Sequence, residues 1–231
     1  MTLDTSPSRY EIVLEYWFRN WLSQPAEPIT QAGVKTSTAD HAPAPGRPAA
    51  RVELEELSRF WFQQSDETDQ FIRTHFEKDL QRALAGGYDS WKNHPRSCLA
   101  WIILLDQFSL NLYREEARSF DQSARAVAVA LDAIRRGWDQ MVAPHERVFF
   151  YMPLMHAENI ELQEQSVAAF QKLLQDAPAS QRPVYESFVE YAKLHWDVVQ
   201  RFGRFPDRNA AYGRPSTENE ERYLAAGGPP F

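Results

Sequence analysis

The chain has 231 residues, 43% of them hydrophobic and 13% aromatic, which is enough to build one substantial core. Its net charge of -7 argues against a general nucleic-acid binder, because phosphate neutralisation needs a basic surface. Its longest apolar run, residues 98–105, is far shorter than the roughly 20 residues that span a bilayer, so no membrane partner is expected.

The single cysteine, Cys98, lies inside that apolar run. It has no second cysteine to bond with and is expected to pack as a small hydrophobe. Residues 1–9 are polar and carry no apolar stretch typical of a secretory signal. We therefore expect a cytoplasmic protein.

Helical periodicity begins in residues 1–22, where apolar side chains recur at spacings of three and four. They are Tyr10, Val13, Leu14, Trp17, Phe18 and Trp21. Residues 23–50 contain five of the chain's 15 prolines and scarcely any large apolar side chain, which predicts a flexible loop. Residues 51–231 are predicted to form the helical core of the same single domain.

The helical period continues through that core. Helices are predicted over residues 52–62, 71–80, 99–108, 124–134, 144–150, 160–174, 185–199 and 217–224. Several residues predict where these helices begin and end. The predicted N-terminal signals are an N-cap at Asp66, capping boxes at Ser119 with Gln122 and at Thr217 with Glu220, and Pro144 as a first helical residue. Pro153 is predicted to end or kink its helix. Because no stretch alternates with period two, we predict an all-α array of antiparallel helix pairs, about eight to ten helices in all.

Polar residues follow the most apolar of these helices. They are Asp106, Gln107, Asn111 and Arg114. Such groups are partly desolvated and must find partners. One interpretation is a structural network in which Asp106 pairs with Arg114 or with an arginine of residues 201–214; the other is part of a ligand site.

A second polar segment contains His156 and Glu158, just after Pro153. His156 could act as a general acid or base oriented by Glu158, with His195 as a third chemical group, or it could be a structural histidine. A metal site would have to recruit His195, with His145 as a further candidate ligand. Neither an HExxH pair nor a tight Cys/His spacing is present, so we predict no metal and no cofactor.

The third segment, residues 201–214, concentrates arginine among turn-forming residues of an acidic chain. Its polar members are Arg201, Arg204, Asp207, Arg208, Asn209 and Arg214. Four guanidinium groups that converge need anions. If the anions are internal, Asp106, Glu158 and Asp207 are the expected partners; if one is external, the segment, with Asn111 and Arg114, would hold a carboxylate, a phosphate or a peptide C-terminus.

Together these segments resemble a bacterial family of unknown function that is placed in the tetratricopeptide-repeat-like (TPR-like) superfamily. The shared strings are Tyr-Trp-Phe (16–18), Trp-Phe (61–62), Phe71, Leu-Leu-Asp-Gln-Phe (104–108) with Asn111, Tyr113 and Arg114, Met-Pro-Leu-Met-His-Ala-Glu (152–158) with Gln163, His195, Arg-Phe-Gly-Arg-Phe-Pro (201–206), Arg208-Asn209 and Gly213-Arg214. The chain departs from the family in the long insertion at 23–50, and in Ser109 and Leu110, where the family tends to have proline and arginine. The resemblance implies a TPR-like all-helical fold and no established activity or cofactor.

Three functions remain open at this point. The first is a binding module that holds an anionic small molecule or a peptide carboxylate on the arginine-rich segment. The second is an enzyme of acid/base or hydrolytic type that uses His156, Glu158 and His195. The third is a structural or interaction protein whose polar residues bind only to one another.

Overall fold

A computed structural model describes residues 8–19, 51–114 and 116–228, with no side-chain description for 51–53. The predicted loop at 23–50 and the end of the predicted first helix at Trp21 lie outside these residues. Within the described ranges the chain is all-helical and contains no strand, which confirms the predicted fold class. It forms a single compact unit around one main core.

The first half of the chain supplies five α-helices. They are α1 (Arg9–Phe18), α2 (Arg51–Phe62), α3 (Asp66–Leu84), α4 (Pro95–Ile103) and α5 (Ser109–Leu112). Between α4 and α5 the helix does not stop but widens into a π-helical turn, Leu104–Phe108. The predicted helix over 99–108 is therefore one continuous helical run with an irregular turn in its second half.

The second half supplies five more helices. They are α6 (Ser123–Arg135), α7 (Pro144–Met155), α8 (Ile160–Asp176), α9 (Arg182–Phe202) and α10 (Glu218–Ala225). Consecutive helices from α6 to α9 pack side by side. Because only residues 156–159 and 177–181 connect α7 to α8 and α8 to α9, these neighbours run antiparallel, as in helical hairpins.

The observed helix boundaries can be compared with those predicted from the sequence. Thr217 and Glu220 form the predicted capping box of α10, and Pro144 is the first residue of α7. The N-cap of α3 is Ser65, whose Oγ accepts from the Thr68 N–H at 3.2 Å, so the assignment to Asp66 was wrong by one residue.

Two further boundaries differ from the prediction. Ser119 lies in a 3-10 turn, Ala117–Ser119, and α6 starts only at Ser123, so the capping box predicted with Gln122 does not form. Helix α7 continues two residues beyond Pro153. Proline lacks an N–H, but the residues that follow it can still bond to carbonyls of the preceding turn, as the His156 N–H does with the Met152 carbonyl.

The core is rich in aromatic side chains. Trp17 of α1 is fully buried, and its ring packs edge-on against Phe108 and Phe149. Trp61 of α2 donates from Nε1 to the Trp17 carbonyl at 2.7 Å, which joins the two helices. Cys98 is buried as expected, and burial raises the pKa of its thiol to about 12.

After α9 the chain turns at Gly203, where φ is +72°, a conformation that glycine adopts without strain. We call residues 203–228 the C-terminal arm. Its apolar anchor, Phe205, is fully buried in a small cluster of its own with Val198 and Val199 of α9, separate from the main core. The arm is the element that brings the arginine-rich segment to the rest of the protein.

Candidate functional site

Four buried polar residues from three distant parts of the chain lie close together, and we call them the polar centre. They are Asp106, His156, His195 and Arg208. Asp106 lies in the π-helical turn, His156 at the C-terminus of α7 and Arg208 in the 3-10 turn Pro206–Arg208 of the arm, whereas His195 lies within α9. Helix ends carry backbone groups without intrahelical partners, so polar side chains collect there.

The carboxylate of Asp106 bonds to two groups. Its Oδ1 lies 3.0 Å from His156 Nδ1, and its Oδ2 accepts from Gln107 Nε2 at 2.6 Å. The direct partner of Asp106 is therefore a histidine and not the arginine expected from the sequence, although its charge also acts on Arg208 and opposes the lowering of the Arg208 pKa. π-helical turns are rare and occur frequently at functional sites, which makes this Asp–His pair the chemically most distinctive feature of the fold.

His156 also takes part through its backbone, at the C-terminus of α7. Its carbonyl accepts from Arg208 Nη1 at 2.8 Å, and the neighbouring carbonyls of Met155 and Ala157 accept from Gln163 Nε2 at 2.5 and 2.8 Å. Side chains thus satisfy the carbonyls that the helix end leaves unpaired. A cation at this position also complements the negative end of the helix dipole.

Arg208 is enclosed by aromatic rings. Its guanidinium carbon lies 4.2 Å from the ring centroids of both Phe120 and Phe205, and the residue is almost fully buried. Burial lowers the pKa of Arg208, while the carboxylates of Asp207 and Glu158 oppose that shift. The charge is retained in the interior because it has a carbonyl acceptor and two ring faces as partners.

His195 is the second imidazole of the centre. Its ring centroid lies 6.2 Å from that of His156, and its Nδ1 lies 2.8 Å from the Tyr191 carbonyl. Burial, and then the proximity of His156, lower its pKa to about 3, so the ring is neutral near neutral pH. The expected approach of His156 and His195 is thus present, and both are largely shielded from solvent.

Glu158 has the second of the two roles that the sequence suggested for it, that of an internal partner for the arginine-rich segment. Nη1 and Nη2 of Arg214 donate to the two carboxylate oxygens of Glu158 at 2.6 and 2.8 Å. The Phe205 N–H donates to the same carboxylate at 2.8 Å. Although burial alone would raise the pKa of Glu158, these donors hold it below its usual value. The carboxylate that orients His156 is therefore that of Asp106, and Glu158 secures the arm.

Arg204 is bound in the same way by the last helix. Its Nε and Nη2 donate to the two oxygens of Glu220 at 2.6 and 2.8 Å, and Nη2 also donates to the Pro215 carbonyl. Glu220 in turn accepts from the Thr217 N–H at 2.7 Å as part of the capping box. The contact with Arg204, followed by those with Thr217, lowers the pKa of Glu220 to about 2.

This shift predicts acid sensitivity. A carboxyl whose pKa is about 2 in the folded state, against about 4.3 unfolded, stabilises the fold above the unfolded value and loses that contribution as pH falls through the folded one. We expect the urea midpoint to fall between about pH 5 and pH 2, with a weaker decline in Glu220→Gln. Glu218→Gln, at a side chain that is 92% exposed in the same helix, is the control. Equal pH profiles for both variants would contradict the assignment.

The remaining arginine of the segment, Arg201, and the neighbouring Asn209 do not reach the polar centre. Arg201 lies on the outer face of α9, where Nη1 is 3.3 Å from Asp197 and the guanidinium contacts the rings of Phe202 and Tyr223. Asn209 is buried in the arm and donates to Ser216 Oγ at 3.0 Å. The four arginines predicted to meet at one point are thus distributed over separate internal acceptors.

Asn111 and Arg114 belong to another contact. Asn111 Nδ2 donates to Asp69 Oδ1 at 2.8 Å, and Arg114 donates to both oxygens of Asp69 at 2.9 Å. The expected pairing of Arg114 with Asp106 is therefore wrong. Asp69 lies in the acidic first turn of α3, where a carboxylate also interacts favourably with the helix N-terminus, and it was not among the predicted partners.

His145 was also a candidate ligand for a metal site. His145 lies against Phe18 at the start of α7, and eleven residues of helix, about 16 Å, separate it from His156. Across the described ranges no group of three or more His, Cys, Asp or Glu side chains is arranged to hold a metal ion. None of the helices described combines the length and the apolar character that a membrane crossing requires.

Comparison with known proteins places the chain in a family. Residues 13–228 match the family model described as "Bacterial protein of unknown function (DUF924)". The chain belongs to the DUF924 family. The expected membership of a bacterial family of unknown function is thereby confirmed. The curated proteins contain no match to this DUF924 chain.

A solved structure agrees with this assignment. The chain resembles a protein of unknown function from Agrobacterium tumefaciens, with 34% sequence identity and a TM-score of 0.66. The match covers 76% of this chain and 95% of that one. The similarity supports the helical architecture of the DUF924 chain, and it assigns no activity to it.

Proposed function

We propose that this DUF924 chain is an interaction protein built on TPR-like pairs of antiparallel helices, in which the polar residues hold the C-terminal arm against the helices. The observation that carries the proposal is that the arginine side chains bond to groups of the protein itself. From the arm, Arg208 donates to the His156 carbonyl and Arg214 to Glu158, while Arg204 donates to Glu220 within the arm itself. The polar residues then serve the architecture, and partners bind to the outer faces of the helices.

The TPR-like part of the proposal rests on α6 to α9. Consecutive antiparallel helices with short connections are the unit from which helical arrays are built, and such arrays bind partners on faces left uncovered by their neighbours. A cytoplasmic location belongs to the same proposal, since the one cysteine is a buried thiol with a raised pKa and fits a reducing compartment.

Anion binding by the same arginines, which the sequence favours, is the main competitor. A phosphate or a peptide carboxylate would have to displace Glu158 from Arg214 or Glu220 from Arg204. Displacement would leave a partly or fully buried carboxylate without its cation, which is costly. The internal role needs no such rearrangement.

Thermal unfolding of Arg214→Ala separates the two roles. We expect this variant to unfold several degrees below the wild type without any ligand, since each kcal/mol shifts the midpoint by about 2–4 °C in a domain of this size. We also expect phosphate, citrate and a short peptide with a free C-terminus to stabilise wild type and variant equally.

Arg135→Ala, at a side chain that is 75% exposed, is the control and should unfold with the wild type. The proposal fails if an anion stabilises the wild type and not Arg214→Ala, while the unliganded variant unfolds at the wild-type temperature. That pattern would assign the arginine to a ligand.

A second candidate function is acid/base catalysis, and the Asp106–His156 contact of 3.0 Å favours it. Asp106 would orient the imidazole of His156, and His156 would move the proton. Turnover of an ester or phosphoester that is lost in His156→Gln, with helix content retained, would support this function over the interaction role.

A further inference from the structure

The C-terminal arm, residues 203–228, forms one wall of the polar centre. The centroid of the Phe205 ring lies 5.6 Å from that of the His195 ring, and Arg208 Nη1 donates to the His156 carbonyl at 2.8 Å. With the arm in this position His156 and His195 are only 9% and 3% exposed. The accessibility of both imidazoles therefore depends on where the arm lies.

Contacts within the arm hold it together as one piece. Arg204 donates from two nitrogens to the carboxylate of Glu220, and Asn209 Nδ2 donates to Ser216 Oγ at 3.0 Å. The Arg214 N–H also donates to the Asn209 carbonyl at 2.8 Å. These contacts join the first residues of the arm to α10, so the arm can move as a single body.

Contacts from the arm to the helices involve one short segment, residues 156–158. Arg214 and the Phe205 N–H donate to Glu158, and Arg208 donates to the His156 carbonyl. The side chains of Arg214 and Glu158 are 26% and 24% exposed, so water already reaches their ion pair. Because water can solvate each charge when the arm leaves, the ion pair opposes opening less than a dry one would.

Gly203 is suited to act as the hinge of this movement. It follows the last residue of α9, its φ is +72°, and no atom of the described residues would lie within 4 Å of a Cβ at this position. Glycine adopts positive and negative φ with similar ease, so rotation here is not opposed by a side chain. Hinges are typically a few residues at the end of an element that absorb such a change.

We propose that the arm is a hinged cover that opens about Gly203 and exposes the imidazoles of His156 and His195. In the closed form, the one described above, both rings are shielded. In the open form the arm moves away as a body, and small molecules reach the Asp106–His156 pair. The inference rests on the internal role of the arm contacts in the proposed function, and it adds a step of access to the second candidate function, acid/base catalysis.

The rate at which diethyl pyrocarbonate modifies each histidine, located by mass spectrometry of peptides, measures this exposure. Gly203→Ala keeps every side chain of the arm and disfavours the backbone angle of the closed form. Since a left-handed backbone disfavours alanine by a factor of about 5 to 30, modification of His156 and His195 should accelerate by up to about that factor. The exposed His94 is the internal reference and should react at the same rate in every variant.

Gly137→Ala is the matched control. Gly137 also has a φ of +72° and the same free space around it, but it lies between α6 and the 3-10 turn Trp138–Met141. The two alanine variants should lose stability to a similar extent, and Gly137→Ala should leave His156 and His195 at their wild-type rates. Equal modification of these histidines in both variants would overturn the inference.

Hydrogen exchange keeps the test decisive if Gly203→Ala fails to fold. In the wild type the amide of Phe205, which donates to Glu158, should exchange faster than the amides in the middle of α8. Arg214→Ala should accelerate exchange in the arm and leave α8 unchanged. Arm amides that are as well protected as those of α8 would rule out the hinged cover.

The two proposals fail on different results. Selective stabilisation of the wild type by an anion would contradict the proposed function, and neither histidine modification nor hydrogen exchange uses an anion. Unchanged histidine reactivity in Gly203→Ala would contradict the hinged cover alone, because this variant keeps the Arg214–Glu158 contact.

Discussion

Replacing Asp106 by alanine is expected to lower the free energy of unfolding by about 3 to 5 kcal/mol, because the loss of one member of a buried pair leaves the other without its partner. Both His156 Nδ1 and Gln107 Nε2 lose the oxygen that they contact at 3.0 and 2.6 Å. Each buried polar group left unpaired costs about 1 to 3 kcal/mol, so the two groups together give about 2 to 6 kcal/mol, a range that contains the first one. Urea unfolding followed by circular dichroism measures the effect.

Two variants give this result its meaning. Asp106→Asn keeps one acceptor oxygen, so it should retain part of the stability that alanine loses. Asp132→Ala removes an aspartate whose contacts with Arg135 and Arg136 lie on the surface of α6, and it should cost at most about 1 kcal/mol. If Asp106→Ala lowers the free energy of unfolding no more than Asp132→Ala does, the Asp106–His156 pair has no structural role. That result would favour a catalytic role for the pair.

Arg208→Ala is expected to be comparably destabilising, by about 3 kcal/mol or more. The His156 carbonyl loses its donor at the buried end of α7, which costs about 1 to 3 kcal/mol. The rings of Phe120 and Phe205 lose a guanidinium at 4.2 Å, a contact worth about 2 kcal/mol when desolvated, and a cavity remains between them. The release of a buried charge offsets part of this sum.

Arg208→Met separates packing from polarity, since methionine fills much of the volume but donates no hydrogen bond. We expect Arg208→Met to lie between Arg208→Ala and the wild type in urea unfolding. A methionine variant as stable as the wild type, or more stable, would show that the guanidinium makes no net contribution to stability. It would also point to a retained charge with another purpose, such as anion binding.

The sequence predicted the helices of this protein well because their signal is local. An apolar side chain every three or four residues identifies a buried helix face, and a capping box such as Thr217 with Glu220 is complete within four residues. Even a local signal gave a wrong prediction where the same side chain could form a different hydrogen bond. Ser119 has the spacing of a capping box, but its Oγ bonds to the Glu116 carbonyl in a 3-10 turn and α6 begins later.

Local sequence signals could not predict which side chains bind to one another at the polar centre and around it. Nothing in the sequence distinguishes Asp69 from Asp106 as the acceptor for Arg114, because the choice depends on how α3 and α7 lie against the run from α4 to α5. The sequence did identify Glu158 as a candidate for the arginine-rich segment, and the Arg214 contact agrees with it. The π-helical turn that presents Asp106 left no mark on the apolar periodicity, since every residue from Leu104 to Phe108 is buried.

The separate apolar cluster of the C-terminal arm has a consequence for how the protein opens. Contacts that join the arm to the α7–α8 turn close loops of 47 to 56 residues, whereas the helical hairpins before it close short ones. Long loops cost more entropy to close, and the arm is joined to the hairpins by one ion pair, a few hydrogen bonds and a small apolar cluster. We therefore expect the arm to detach while the hairpins stay folded, and we expect acid to favour detachment, because protonation of Glu158 removes its ion pair with Arg214 of the arm.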